Sequence, residues 1–221
     1  MVTLRRLASE FVGSALLAMI VVGSGIAAQQ LSPNDVGLQL LENALVTGCG
    51  LFVLIELLGP IGGAEFNPVV SFAKVVLEGR RFLDALAYVP FQVAGCIVGA
   101  VAANAMFALP AVTFSQHHRV SGPHFLSEVI ATAGLVLTIF LLARQNRSRL
   151  IGVAVASYIT AAYYFTSSTS FANPAITVGR MFSNSFAGIA PNSVLFFIGA
   201  QCVGGLVGVG LVALLTNKES S

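Results

Sequence analysis

The sequence predicts an all-α membrane protein in which six transmembrane helices and two re-entrant half-helices form an inverted internal repeat. Three observations lead there. The chain is 56% hydrophobic and only 9% charged, against roughly 25% charged residues in soluble domains. Six apolar stretches each approach the ~20 residues that cross a bilayer core as a helix. Two matched Asn-Pro segments interrupt them: Glu65-Phe66-Asn67-Pro68-Val69-Val70-Ser71-Phe72-Ala73-Lys74 and Ala172-Asn173-Pro174-Ala175-Ile176-Thr177-Val178-Gly179-Arg180.

The first stretch, 7–28, is long enough to span and lacks a convincing cleavage site, so it is expected to stay in the mature protein as span one. Span two is 40–58. The first Asn-Pro segment follows, too short and too broken to cross alone. Spans three, four and five are 85–107, 125–143 and 150–165. The second Asn-Pro segment comes next, and span six is 194–215. Non-helical backbone at membrane depth is tolerated only where it is buried in protein or lines a wet cavity, so both Asn-Pro segments are expected to re-enter rather than cross.

Lys and Arg set the orientation. Arg5, Arg6, Lys74, Arg80, Arg81, Arg144, Arg147, Arg149 and Lys218 fall on one side of a six-span arrangement, against Arg119 and Arg180 on the other. The positive-inside rule then puts both termini in the cytoplasm. The net charge of +2 reflects this topology and gives no support to a nucleic-acid partner.

The repeat extends upstream. Ser9-Glu10-Phe11-Val12-Gly13-Ser14-Ala15-Leu16-Leu17 opens span one, and Ser127-Glu128-Val129-Ile130-Ala131-Thr132-Ala133-Gly134-Leu135 opens span four. The chain therefore reads as one channel domain of two related halves, about 1–110 and 120–221. Each half has an odd number of spans, so the second is inserted upside down. Such repeats place their functional segments at the bilayer midplane.

The Asn-Pro pairs give those segments their chemistry. Asn is a favoured N-cap and Pro is favoured at the first helical position, so each half-helix starts at its Asn: Asn67-Pro68-Val69 and Asn173-Pro174-Ala175. An Asn that caps through its side-chain oxygen leaves its amide protons free as donors toward a permeating hydroxyl or water. Each helix start also carries roughly half a positive charge. Two such ends meeting at mid-membrane oppose cations and disrupt proton relay. Backbone carbonyls of 62–66 and 168–172 are the expected acceptors along each half-pore.

Over nearly its whole length the chain resembles the aquaporin or major intrinsic protein family, through Gly62-Gly63-Ala64-Glu65-Phe66-Asn67-Pro68-Val69, Phe171-Ala172-Asn173-Pro174-Ala175 and the Glu10 and Glu128 segments. The resemblance implies an aquaporin-like homotetramer with one pore per subunit, passing small neutral solutes passively. Three departures stand out. Val69 replaces the usual Ala, Glu65 replaces a His found in many members two residues before the first Asn, and Ile176 replaces the constriction Arg three residues after the second. Counting without gaps from the two Asn residues, the resemblance assigns the remaining filter positions to Thr47, Ala161 and Ser170. A filter of Thr47, Ala161, Ser170 and Ile176 is small, lacks Arg and is wider than a water-only constriction.

Thr166-Ser167-Ser168-Thr169-Ser170-Phe171-Ala172-Asn173 and Phe186-Ala187-Gly188-Ile189-Ala190-Pro191 are similar to an arsenic-resistance-associated bacterial aquaglyceroporin branch, the AqpS type, which also lacks that Arg. This resemblance implies water, glycerol-like polyols, arsenite and methylated arsenicals as solutes, and a bacterial inner-membrane location. Within the same class, the alternatives are an ordinary water channel or a glycerol facilitator. From another class, an ion-coupled secondary transporter also uses inverted repeats and broken helices.

Several residues have a structural reading beside the functional one. Arg180 and its mirror Lys74 are vestibule cations, or cations that complement half-helix C-termini. Glu10 and Glu128 lie inside spans, where a carboxylate is expensive unless paired; both are expected to accept from backbone N–H groups of the re-entrant loops. Glu65 is either a charge that complements a helix start or a pore-lining carboxylate. Glu56 has no counterpart in the other half, and its role stays open. Cys49, Cys96 and Cys202 match no metal or redox spacing and read as packing residues. His117, His118 and His124 read as outer-loop residues without further ligands at metal spacing. Gly95, Gly99, Gly204, Gly205 and Gly208 suit close helix packing. No cofactor, metal site or catalytic residue is expected.

Overall fold

The computed structural model describes residues 2–216. Lys218, one of the orienting cations, lies outside them. Among the described residues eight α-helices run in order: α1 (Leu4–Leu31), α2 (Val36–Gly62), α3 (Pro68–Glu78), α4 (Phe82–Met106), α5 (Gly122–Arg144), α6 (Ile151–Phe165), α7 (Pro174–Arg180) and α8 (Pro191–Thr216). α3 and α7 are the two half-helices. The long helices overrun most of their apolar stretches because capping residues in the flanks extend them. Thr3 caps α1, Asp35 caps α2 by accepting from the Leu38 N–H at 2.9 Å, and Ser121 caps α5.

Among the described residues five helices, α1, α2, α4, α5 and α8, are long and apolar enough to cross a membrane. The expected fifth span, α6, has 15 residues, about 22 Å at 1.5 Å per residue. A 3-10 turn, Ser148–Leu150, leads into it, and it runs directly into the buried loop before Asn173. Large apolar side chains such as Leu57, Leu195, Leu206 and Leu214 project outward, as a lipid-facing surface requires.

Small residues bring the helices together the same way in both halves. α4 lies so close to α1 that a Cβ on Gly99 would sit 2.0 Å from the Ala15 carbonyl oxygen, and one on Gly95 would sit 2.4 Å from that of Phe11. α8 meets α5 likewise: a Cβ on Gly204 would sit 2.5 Å from the Val129 carbonyl oxygen, and one on Gly208 2.9 Å from that of Ala133. Lipid offers no hydrophobic drive between helices, so association rests on this backbone approach and on dispersion.

Candidate functional site

α3 and α7 begin where the sequence places them. The Asn67 Oδ1 accepts from the Val69 N–H at 2.9 Å, and the Asn173 Oδ1 accepts from the Ala175 and Ile176 N–H groups at 2.9 and 3.3 Å. Pro68 and Pro174, each without an N–H to satisfy, occupy the first helical position. The amide groups are only partly free. Asn67 Nδ2 donates to the Ala172 carbonyl at 2.8 Å and Asn173 Nδ2 donates to the Phe66 carbonyl at 2.7 Å. Each Nδ2 carries two protons, so one ties the halves together reciprocally and one remains for the cavity. For the same reason the Phe66 and Ala172 carbonyls are already partly engaged.

The loops that lead into the half-helices are strained alike. Ala64 and Phe66 have φ of 46° and 47°, and Ser170 and Ala172 have 49° and 48°. Left-handed conformations of non-glycine residues cost on the order of 1–3 kcal/mol each and persist only under restraint. The fully buried Glu10 and Glu128 supply it. Glu10 accepts from the Glu65 and Phe66 N–H groups at 3.0 and 2.8 Å, and Glu128 from those of Phe171 and Ala172, both at 2.9 Å. Hydrogen bonds to a charged group contribute roughly 1.5–3 kcal/mol each, enough to offset the strain.

Two residues not singled out in the sequence complete this frame. Gln92 on α4 donates to Glu10 at 2.8 Å and to the Ser71 hydroxyl at 3.0 Å; Gln201 on α8 donates to Glu128 at 2.7 Å and to the Thr177 hydroxyl at 2.8 Å. A sequence signal was available. Gln92 stands three residues before Gly95 and seven before Gly99, and Gln201 stands at the same distances from Gly204 and Gly208.

A cavity of about 300 Å³ runs between the two halves, lined by Leu17 and Val21 of α1, Thr47, Leu51 and Ile55 of α2, Leu135 and Ile139 of α5, Ile151, Val155, Ile159 and Tyr163 of α6, both Asn residues and both strained loops. Thr47, Ser170 and Ile176 all line it. Ala161 does not: it is exposed on the outside of the bundle, and Tyr163 holds the cavity-facing place instead, 3.3 Å from the Thr47 hydroxyl. Counting from Asn173 without gaps misses by two residues, and at about 100° per residue two steps turn a side chain to the opposite helix face. The expected place of Ala161 on the cavity wall is thereby corrected: the lining includes the rings of Tyr163 and Phe171 and, one turn beyond Ile176, Arg180.

Val69 does not face this cavity. It joins the cluster of Ala73, Val136, Phe140 and Val212, and a Cβ on Gly205 of α8 would meet its Cγ1 at 2.5 Å. Gly205 therefore makes room for the larger residue. In the other half Ala175 matches Val69 by its place after Asn-Pro, and Cys96 matches Gly205 by the offset that relates Gln92 to Gln201; both are buried in one cluster. Bulk has moved between partners.

At one end of the cavity Glu65 pairs with Lys74 at 3.0 Å and with Arg80, and accepts from the Ser71 hydroxyl at 2.6 Å. Arg80 also stacks 4.1 Å over the Tyr88 ring, whose hydroxyl donates to the Gly62 carbonyl at 2.9 Å. Glu65 is thus both cavity-lining and structural. Glu65→Gln is expected to lower thermal stability in detergent by several degrees, since breaking a buried pair leaves charge uncompensated. Asp84→Asn, in the exposed pair with Arg81, should cost little; equal losses in the two variants would contradict the assignment.

At the other end, Arg180 is buried against Phe171, its guanidinium 3.3 Å from the ring centroid, and its Nε donates to the Ala187 carbonyl. Arg119, from the segment before α5, lies 5.4 Å from the same ring and donates from Nε to the Gly188 carbonyl at 2.9 Å. Burial pulls the Arg119 guanidinium below its ordinary pKa range. Glu56 is exposed on α2, beside Gly152. Among the described residues no cluster of three metal-ligating side chains occurs.

The chain is similar to known proteins over nearly its full length. It is 44% identical to the aquaglyceroporin AqpS of Rhizobium meliloti (strain 1021), across 96% of this chain and 90% of that protein. It is 26% identical to a probable TIP-type aquaporin of Medicago truncatula, across 98% and 89%. The X-ray structure of the aquaglyceroporin from Plasmodium falciparum superposes with a TM-score of 0.69, at 20% identity, over 95% of this chain and 98% of that one, which speaks to the fold. Residues 1–160 match the major intrinsic protein family. With the paired Asn caps and the carboxylate-held loops already in view, these similarities establish that the chain is a multi-pass membrane protein belonging to the major intrinsic protein family.

Proposed function

We propose that this family member is a passive channel for small neutral solutes, water and glycerol among them, with arsenite and methylated arsenicals within its range. The observation that carries the reading is the reciprocal Asn67–Asn173 pair, which gives one amide proton from each side to a cavity shared by both halves. A solute that leaves water loses its hydrogen bonds, and an unsatisfied hydroxyl in an apolar setting costs several kcal/mol. The two Asn donors and the loop carbonyls replace those bonds one after another, while the aliphatic wall of α1, α2, α5 and α6 offers nothing that would hold the solute. Arsenite is largely the neutral trihydroxide at pH 7, with the hydrogen-bonding pattern of a polyol. Conduction involves no bond-making step, in keeping with a channel and not an enzyme.

The same reading extends to a homotetramer in a bacterial inner membrane with cytoplasmic termini. Support for the orientation comes from the grouping of cations: Arg144 donates to the Leu77 carbonyl at 2.8 Å, at the end of α3 near Lys74 and the following Arg80, whereas Arg119 and Arg180 meet at Phe171. Proteoliposomes challenged in turn with glycerol, urea and arsenite should shrink and then reswell, with glycerol and arsenite entering at least about tenfold faster than into protein-free vesicles, a barrier reduction of about 1.4 kcal/mol. Water flux alone, with glycerol and arsenite at background, would instead mark an ordinary water channel.

A further inference from the structure

Ile176 leaves the filter position of α7 without a charge, yet a guanidinium lies in the same cavity one turn along. Residues four apart share a helix face, so Ile176 and Arg180 line one wall of the cavity that Thr47, Tyr163 and Ser170 also line. Arg180 is 1% exposed. Its Nε is taken by the Ala187 carbonyl, and among the described residues its terminal nitrogens have no protein hydrogen bond and no carboxylate at ion-pair distance. A guanidinium has five N–H donors, and burying so many without acceptors is costly. The face of Phe171 offsets part of that cost by cation–π attraction, but a ring face supplies no lone pair.

A second side chain that lines this cavity is also unpartnered. Ser170 is 3% exposed, lines the cavity and has an Oγ that makes no hydrogen bond with any described residue. Its left-handed backbone, φ 49°, is held in place by the neighbouring bonds from Phe171 and Ala172 to Glu128. A fork of donors and a hydroxyl that can donate or accept therefore open on one space, each missing partners of the kind a small oxygen-rich molecule provides.

We propose that Arg180 and the Ser170 hydroxyl form the solute-discriminating polar subsite of this pore, a filter arginine relocated one helical turn beyond Ile176, selecting neutral solutes rich in acceptor oxygens. This rests on the channel reading above. A polyol oxygen takes the Arg180 N–H groups while a neighbouring hydroxyl pairs with Ser170, and the Phe171 and Ile176 side chains cover the carbon edge. A solute of the same size lacking one hydroxyl leaves a donor unpaired there and is disfavoured. The uncompensated positive charge also repels cations at the mouth opposite the Glu65–Lys74–Arg80 cluster.

The test compares glycerol with 1,3-propanediol, its counterpart lacking the central hydroxyl, in proteoliposomes of the full chain, with protein-free vesicles subtracted. Wild type is measured first; if it conducts neither solute, the channel reading fails before the subsite is in question. Arg180→Leu should lower the glycerol-to-propanediol ratio about tenfold, the scale expected when a polar site loses its solute partner, and should admit protons to vesicles carrying a pH-sensitive dye. Ile176→Arg added to Arg180→Leu should restore the ratio, because it returns a guanidinium to the same wall without the hold on Ala187. Ser170→Ala, which leaves that hold intact, should lower the ratio about threefold. The proposal is overturned if Arg180→Leu scales the fluxes of both solutes by a common factor and Ile176→Arg restores nothing, or, should Arg180→Leu not fold, if Ser170→Ala leaves the ratio unchanged.

Discussion

Glu128→Ala is expected to yield little or no folded channel. The carboxylate accepts from the Phe171 and Ala172 N–H groups and from Gln201 Nε2, all at a fully buried position. Removing it strands two backbone donors at roughly 1–3 kcal/mol each and releases a loop whose Ser170 and Ala172 conformations are strained. The sum approaches the 5–15 kcal/mol that holds a typical domain together. Size-exclusion chromatography in mild detergent should show aggregate where wild type gives one symmetric peak. Glu128→Gln keeps an acceptor for one N–H but turns an NH2 toward the other, so it should fold with a melting temperature lower by at least about 5 °C. A monodisperse Glu128→Ala protein that melts within about 2 °C of wild type would remove the carboxylate from this role.

Ile176→Arg should narrow the solute range of the otherwise unaltered chain. Ile176 is buried and faces the cavity between Thr47, Tyr163 and Phe171. An arginine there adds bulk to the passage and sets a second guanidinium four residues from Arg180, where like charges repel along a helix face. Extra steric and desolvation cost of about 1.4 kcal/mol for a polyol corresponds to a tenfold slower crossing. Glycerol and arsenite fluxes are therefore expected to fall about tenfold, and water, being smaller, by less than about threefold. Stopped-flow light scattering on matched proteoliposomes reads both. Unchanged glycerol and arsenite flux would mean that Ile176 does not line the constriction.

The spans and half-helices were legible because their signals are local: apolar runs of bilayer length and an Asn followed by Pro. Glu10 and Glu128 were legible for an energetic reason, since a carboxylate within a span requires donors and the re-entrant loops are the segments with donors to spare. What depended on helix rotation was not. A fixed count from Asn173 picked Ala161 on the outer face of α6 where Tyr163 faces the cavity, because the count carries no information on where α6 ends and its loop begins. The Glu65 cluster was half legible. Lys74 lies nearly two turns into α3, but Arg80 reaches Glu65 only after Gly79 ends the helix in a left-handed turn, φ 69°. The Asn amides were read as wholly free because a single half-pore does not reveal that its partner's carbonyl, Phe66 or Ala172, takes one proton from each.

The most direct test of a passive pore built on Asn67 and Asn173 is glycerol uptake by purified protein in proteoliposomes, measured against concentration with and without imposed proton and sodium gradients. A pore that never closes around its solute predicts initial rates that rise linearly with concentration and are the same in every gradient. Saturating uptake that follows a proton or sodium gradient would contradict the account and place the chain among coupled transporters.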